Sequence, residues 1–148
     1  MRALLDVNVL VALLDGGHLH HGAATAWLAQ HASQGWASCP ITENGCIRVM
    51  STPAYPNAQP AAAVAKRLGV AARQTSHAFW PDAVSLLDDG QVVWDRVLGS
   101  RQLTDVYLLA LAVERKGRLV TFDRVIPLAA VPDAQAKHLV ALPPLVGR

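Results

Sequence analysis

The chain has 148 residues, a length typical of one domain, and 52% of them are apolar, which excludes a disordered protein. Its formal net charge of +2 is too small to indicate a protein that coats polyanions, although it does not exclude nucleic acid binding.

The longest strongly apolar run without charges is 106–113, far shorter than the roughly 20 residues of a membrane helix. Cys39 and Cys46 lack metal-ligand spacing, so we expect two buried free thiols. Nothing at the N-terminus resembles a cleaved signal sequence. We therefore expect one cytoplasmic domain over residues 1–148 that does not span a membrane.

Short apolar runs alternate along the chain with longer helical patterns. The predicted strands cover residues 2–5, 36–39, 77–80, 118–122 and 138–142. The predicted helices cover residues 8–14, 20–32, 41–50, 60–72, 81–87, 94–98 and 104–116. Because parallel neighbouring strands need a crossover, this order predicts an α/β fold, a three-layer α/β/α sandwich around a mostly parallel sheet. The last helix is apolar on nearly every face, so we expect it to be almost fully buried.

Four acidic residues occupy equivalent places in this pattern. Asp6 ends the first strand in ALLDVN and Asp123 ends the fourth in VTFDR, while Glu43 and Asp105 open helices in SCPITEN and LTDVY. Strand ends and the helix starts that follow them share one edge of a parallel sheet, so four carboxylates are expected to converge on one cleft. Each acid taken alone could instead cap a helix.

Crowded carboxylates at a half-buried edge repel one another, and a bound cation relieves that repulsion. Oxygen ligands without neighbouring His or Cys favour Mg²⁺ or Mn²⁺ over zinc. Such an ion activates a water molecule and neutralises charge on a phosphoryl group. The acids therefore predict hydrolysis of phosphodiester bonds, with one ion or two.

Several segments resemble the PIN-domain ribonucleases, and specifically the VapC-type toxins of bacterial toxin–antitoxin modules. They are LLDVNVLVALLD, TEN, LTDVYLLALAV and RLVTFDR, and the blocks WASCPITENG and HAFWPDAVSLLD are similar to a VapC subgroup. The resemblance implies a PIN-like fold and a metal-dependent endoribonuclease that hydrolyses RNA with a metal-activated water. It also implies silencing by a cognate antitoxin protein and a homodimer.

Carried over by position, the resemblance assigns metal binding and catalysis to four residues and a supporting role to two. The metal-binding and catalytic residues are Asp6, Glu43, Asp105 and Asp123. Asn8 and Thr121 are expected to orient the carboxylates or water without binding the metal themselves.

Two other functions stay open from the residues alone. An aspartyl-phosphate phosphatase would use Asp6 as its nucleophile, but it needs a second acid at position 8, where this chain has Asn. A PIN-like protein-binding module without cleavage activity would need the acids only as helix caps. Metal-linked stability would distinguish that module from the nuclease.

Other residues have more than one interpretation. His18, His20 and His21 suggest zinc, but no Cys lies near them, so a solvated loop and helix cap is expected. His77 is expected to be packed or hydrogen-bonded rather than to contact substrate. Core packing is expected, with an apolar groove for the antitoxin as the alternative, for Ala24, Trp27, Leu28, Ile47, Met50 and Tyr55.

Overall fold

Five strands form one parallel sheet in the computed structural model, which describes residues 1–143. The strands are β1 (Ala3–Leu5), β2 (Trp36–Ser38), β3 (His77–Phe79), β4 (Arg118–Thr121) and β5 (Leu139–Ala141). Their order in the sheet is β3-β2-β1-β4-β5, and each pairing is parallel. All five predicted strands are confirmed, and so is the parallel sheet.

Helices cover both faces of this sheet. They are α1 (Val7–Leu14), α2 (His21–Gln30), α3 (Pro40–Ser51), α4 (Ala61–Ala72) and α5 (Leu103–Glu114). Side chains alternate along β1, so Leu4 packs in the core beneath α5 whereas Ala3 and Leu5 pack in the core beneath α1, α3 and α4. The predicted three-layer α/β/α sandwich is confirmed.

Helix α5 is buried on every side through its middle. Each residue from Val106 to Ala112 is buried, as predicted from its apolar pattern. The sheet covers one side of α5, and Trp80, Val92 and Ile126 from irregular segments share the same core. The first turn of α5 is thereby held at the sheet edge where β1 and β4 end.

Two predicted helices are wrong. Residues 81–87 contain no helix, because Val84 and Leu86 pack against the core while Leu87 is 89% exposed, an alternation with the period of an extended chain. Residues 94–98 contain only one 3₁₀ turn, Trp94–Arg96. Both segments act as a cover for α5, so tertiary packing decides their conformation.

The compositional predictions have different outcomes. Cys39 and Cys46 are buried free thiols, as expected. No helix within residues 1–143 is long and apolar enough to cross a membrane. The single domain over residues 1–148 stays a prediction, because residues 144–148 lie outside the described part of the chain.

Core packing is confirmed for two of the residues that had an antitoxin groove as the alternative. Ala24 and Met50 are only 1% and 2% exposed, because both belong to the core between the helices and the sheet. An apolar groove does open on that side of the molecule, at the beginning of β2. It is lined by Leu13, Thr25, Leu28, Trp36 and Gln74.

Candidate active site

Asp6 is the first residue of the site, and it lies between the end of β1 and the beginning of α1. Its Oδ1 accepts a hydrogen bond from the backbone N–H of Val7 at 2.7 Å, which makes Asp6 the N-cap of α1. Its Oδ2 accepts from the Thr121 hydroxyl, also at 2.7 Å. Asp6 is only 6% exposed, and this burial raises the pKa of its carboxyl although the two hydrogen bonds oppose the shift. Capping therefore accounts for one carboxylate oxygen and leaves the other turned toward β4.

Thr121, the last residue of β4, connects three polar groups. Besides donating to Asp6, its Oγ accepts from the backbone N–H of Asp123 at 3.0 Å and from the side-chain amide of Asn8 at 3.3 Å. The Asn8 carbonyl oxygen accepts from the backbone N–H of Phe122 at 3.2 Å. Thr121 and Asn8 thus tie the first turn of α1 to the loop after β4, which sets the direction of the Asp6 carboxylate.

Asp105 and Asp123 complete a cluster of three aspartates. Asp105 lies in the first turn of α5 and Asp123 in the loop after β4, and together with Asp6 they line one cavity of about 340 Å³. Burial is the largest cause that raises the pKa of Asp105; together with the charges of Asp6 and Asp123 and a hydrogen bond to Asp123 it brings the value to about 7. Near neutral pH this cluster therefore holds a proton that an isolated aspartate would release.

The cluster has the chemistry of a hard-cation site, because its donors are carboxylate oxygens. As they stand, however, no three His, Cys, Asp or Glu side chains within residues 1–143 are arranged to hold a metal ion together. A hydrogen bond to Asp123 is one of the causes that raise the pKa of Asp105, and Asp123 Oδ1 accepts from the backbone N–H of Val125 at 2.9 Å. A cation bound by the cluster would replace the proton of Asp105.

Glu43 is not in this cluster, so the expected convergence of four carboxylates on one cleft is corrected to three. Its Oε2 accepts from the Ser38 hydroxyl at 2.6 Å, and Nε2 of His77 lies 2.8 Å from the same hydroxyl oxygen. Because the only hydroxyl hydrogen of Ser38 goes to Glu43, His77 must be the donor in the second bond. His77 is thus hydrogen-bonded, as expected, and it links β3 to β2 and α3.

The rotation of α3 explains where Glu43 lies. Gly45 faces α1 so closely that an added Cβ would lie 2.6 Å from Cγ2 of Val7. Val49, four residues later and on the same face of the helix, lines the aspartate cavity. Glu43 precedes Gly45 by two residues, which is a rotation of about 200°. It therefore points away from the cleft and toward β2.

Two residues line the cavity although the sequence pattern suggested other roles for them. His18, from the loop between α1 and α2, and Tyr55, from the loop after α3, both line it. The Tyr55 hydroxyl donates to Oδ2 of Asp15 at 2.5 Å, so the two loops are joined beside the cluster. No spacing in the sequence pairs position 15 with position 55, because the contact depends on the packing of α1 against α3.

Known proteins with similar sequences and folds agree with this architecture. A family model for the PIN domain matches residues 3–132. Ribonuclease VapC44 of Mycobacterium tuberculosis is 49% identical over 142 residues, which cover 96% of this chain and 100% of that protein. Ribonuclease VapC39 of the same organism is 44% identical over 142 residues, covering 95% of this chain and 98% of that protein.

Two solved structures share the fold at low sequence identity. VapBC2 from Rickettsia felis, bound to a DNA fragment from their promoter, aligns with a TM-score of 0.57 and 13% identity over 86% of this chain and 94% of that chain. Mycobacterium tuberculosis VapC20, a sarcin–ricin-loop-cleaving toxin, aligns with a TM-score of 0.58 and 15% identity over 90% of this chain and 98% of that chain. These sequence relatives argue against the phosphatase alternative. The chain belongs to the PIN-domain family, among the VapC-type ribonucleases.

Proposed function

We propose that this protein is the endoribonuclease toxin of a toxin–antitoxin pair and that it hydrolyses RNA with the help of Mg²⁺ or Mn²⁺. The observation that carries the metal-dependent part is the cluster of Asp6, Asp105 and Asp123 at the carboxyl edge of β1 and β4. Open parallel sheets bind their ligands at this edge. The sequence relatives named as ribonucleases support RNA as the substrate.

Asp6, Asp105 and Asp123 are the residues that would hold the ion. When bound, the ion supplies positive charge that activates water and neutralises charge on the phosphoryl group. Thr121 keeps one oxygen of Asp6 in place by its hydrogen bond, and Asn8 holds Thr121 from the other side. Asp105 must lose its proton before it can act as a ligand, and its pKa of about 7 makes that loss possible near neutral pH.

Glu43 belongs to the proposed catalytic set on the strength of its family position alone. In this structure its carboxylate is satisfied by Ser38, and Glu43 does not line the cavity of the three aspartates. To contribute to the reaction it would have to leave Ser38 and turn toward the cleft. Its participation is therefore a separate and testable part of the proposal.

The proposed partners are RNA, a cognate antitoxin protein and a second copy of the chain. The apolar groove of Leu13, Leu28 and Trp36 is the surface that we assign to the antitoxin, since an apolar groove of this kind accepts a helix or an extended segment. The proposed place of action is the cytoplasm, where the RNA and a reducing environment suited to two free thiols are both found.

Expression in a bacterium that lacks the antitoxin tests the activity. The wild-type chain is induced beside Asp105→Asn, and the new 5′ ends of cellular RNA are sequenced. We expect cut sites with the wild type that are absent with the variant. Equal RNA ends in both strains, with both proteins present in soluble form, would contradict the nuclease and favour a protein-binding module.

The metal is tested separately by thermal unfolding of the purified protein. Millimolar Mn²⁺ or Mg²⁺ should raise the melting temperature of the wild type, because an ion that binds only the folded state stabilises it by about 2.7 kcal/mol at a hundred times its Kd. Asp6→Asn should remove most of this increase. An equal increase in both proteins would show that the ions bind elsewhere.

A further inference from the structure

The aspartate cavity contains a polar residue that the proposed chemistry does not yet use. Its polar lining consists of Asp6, Asn8, His18, Tyr55, Asp105 and Asp123. Three of these are acids, whereas the RNA backbone that must enter the cavity is itself anionic. Besides the proposed ion, a hydrogen-bond donor on the wall would stabilise a phosphate oxygen placed there.

Two of the other polar residues are held by hydrogen bonds within the protein. The Asn8 side chain gives one of its two amide hydrogens to Thr121, and its oxygen accepts from the Phe122 backbone N–H. The Tyr55 hydroxyl gives its hydrogen to Asp15. His18 is different, because within residues 1–143 only its Nδ1 has a hydrogen-bond partner. His18 is thus the polar lining residue with an uncommitted ring donor.

The local backbone determines which His18 nitrogen carries the proton. The backbone N–H of His20 donates to Nδ1 of His18 at 3.0 Å, so Nδ1 is an acceptor and the proton lies on Nε2. Burial and the neighbouring His20 lower the pKa of His18 more than the charge of Asp15 raises it, so the neutral form is favoured. Nδ1 is therefore bonded to the loop itself, whereas Nε2–H, at the other end of the ring, is a donor available to a ligand.

The loop that carries His18 is held in place at both ends. The backbone N–H of His18 donates to the Asp15 carbonyl at 3.0 Å, and the backbone N–H of His21 donates to the His18 carbonyl at 3.0 Å. The Asp15 side chain accepts from Gly17 N–H at 2.9 Å and from Tyr55. A donor fixed in this way loses little conformational freedom when it binds a ligand.

We propose that His18 binds the RNA in the active-site cavity by donating a hydrogen bond from Nε2 to a phosphate oxygen of the RNA backbone. The inference rests on the proposed nuclease function. A neutral donor suits this position because it attracts the phosphate without a cation that would compete with the metal for the three aspartates. Tyr55 and Asp15 serve as positioning residues for the same loop.

Two amide substitutions separate the roles of the two ring nitrogens. His18→Asn places an amide near the position of Nδ1, so it can still accept from His20 N–H but does not reach the position of Nε2. His18→Gln reaches the Nε2 position with a donor. We expect His18→Asn to lower kcat/KM by roughly tenfold to a hundredfold, the usual effect of losing a hydrogen bond to a charged group, and His18→Gln to retain most of the activity.

Binding is measured independently of cleavage, in the Asp105→Asn background. The probe is a short, fluorescently labelled single-stranded RNA of randomised sequence, followed by anisotropy in the absence of divalent ions. His18→Asn should weaken its binding by roughly tenfold, and His18→Gln should weaken it less. This result would support the inference even if the wild type failed to cleave RNA, which would defeat only the proposed function.

Three results would overturn the inference. The first is unchanged RNA affinity and cleavage in His18→Asn. The second is equal loss of affinity in His18→Asn and His18→Gln. The third is a fall in melting temperature in His18→Asn that accounts for its loss of affinity, since His18 would then support the loop rather than the RNA.

Discussion

The aspartate cleft and the Glu43 network are both polar sites at the end of a strand, yet they are built in opposite ways. In the cleft, Asp105 is half-buried beside two further carboxyl groups and its pKa rises to about 7. In the network, Glu43 is met by the hydroxyl of Ser38, with His77 on the other side of that hydroxyl. The first site has too much negative charge for its surroundings, and the second is hydrogen-bonded within the protein.

This difference separates a site prepared for a ligand from a site that is complete without one. A buried carboxylate is stabilised by hydrogen-bond donors or by an opposite charge. Glu43 has such a donor within the protein, whereas Asp105 meets another acid and keeps a proton instead. We therefore expect substitutions in the cleft to affect activity most, and substitutions in the network to affect stability most.

The largest effect is expected for Asp105→Asn. Loss of this carboxylate should lower RNA cleavage by roughly a hundredfold or more, because a catalytic ion contributes several kcal/mol. The fold should remain, and the metal-free melting temperature should stay equal or rise, because a repelling, desolvated acid is removed. Single-turnover cleavage and thermal unfolding measure the two effects.

The matched control is Asp88→Asn, which makes the same change at an exposed residue outside the cavity. It should cleave RNA at the wild-type rate. Comparable activity of Asp105→Asn and Asp88→Asn would mean that the cleft is not the catalytic site.

Gly45→Ala tests the close contact that turns α3 toward the cleft. An added Cβ would lie 2.6 Å from Cγ2 of Val7, so α1 and α3 would have to separate. We expect the free energy of unfolding to fall by about 1–3 kcal/mol, as for other overpacked cores. Urea denaturation gives this value directly.

Gly69→Ala, in α4, is the control for helix propensity. Its added Cβ would meet only the end of the Arg73 side chain, at 4.0 Å, so stability should stay the same or increase by up to about 1 kcal/mol. If Gly45→Ala and Gly69→Ala changed the free energy of unfolding in the same direction, the close approach of α3 to Val7 would not be the cause of the Gly45→Ala effect.

Glu43→Gln tests the network and, at the same time, the family-based assignment of Glu43 to catalysis. Replacing the charged acceptor of the Ser38 hydroxyl should lower the free energy of unfolding by about 0.5–1.5 kcal/mol. If Glu43 stays with Ser38 during the reaction, cleavage should fall by less than about tenfold, which corresponds to about 1.4 kcal/mol. The same unfolding and cleavage assays apply.

Glu114→Gln, at the exposed end of α5, is the corresponding control. A loss of cleavage in Glu43→Gln as large as that in Asp105→Asn would remove the distinction between the two sites. It would show that Glu43 reaches the cleft in the active state.

The last prediction concerns the pH dependence of stability in the absence of metal. The Asp105 carboxyl has a pKa near 3.8 when unfolded and about 7 when folded, so between these values the folded state binds more protons. This group therefore makes stability fall as the pH rises from about 4 to about 7. Melting temperatures in EDTA should decline less over this range in Asp105→Asn than in the wild type, whereas parallel profiles would contradict the raised pKa.

Much of the fold could be predicted because its signals are local. Five short apolar runs became the five strands, and the apolar pattern of α5 matched its complete burial. The segments at 81–87 and 94–98 were predicted wrongly, because their apolar residues cover α5 from outside rather than form a helical stripe. Local spacing does not distinguish these two uses of apolar side chains.

The candidate site was predictable to the extent that its residues lie at strand ends. Asp6 and Asp123 follow β1 and β4, which are neighbours in the sheet, and Asp105 opens the helix packed beneath them, so topology alone brings these three together. The sequence pattern therefore determines the family, the parallel sheet and the position of this cluster.

Only the tertiary structure decided which way Glu43 points and that His18 joins the cavity. The direction of Glu43 depends on the rotation of α3, which the contact between Gly45 and Val7 sets. The place of His18 depends on a hydrogen bond between Asp15 and Tyr55, residues 40 positions apart. Both outcomes depend on how helices pack against one another, and that packing cannot be predicted from the spacing of residues along one helix or loop.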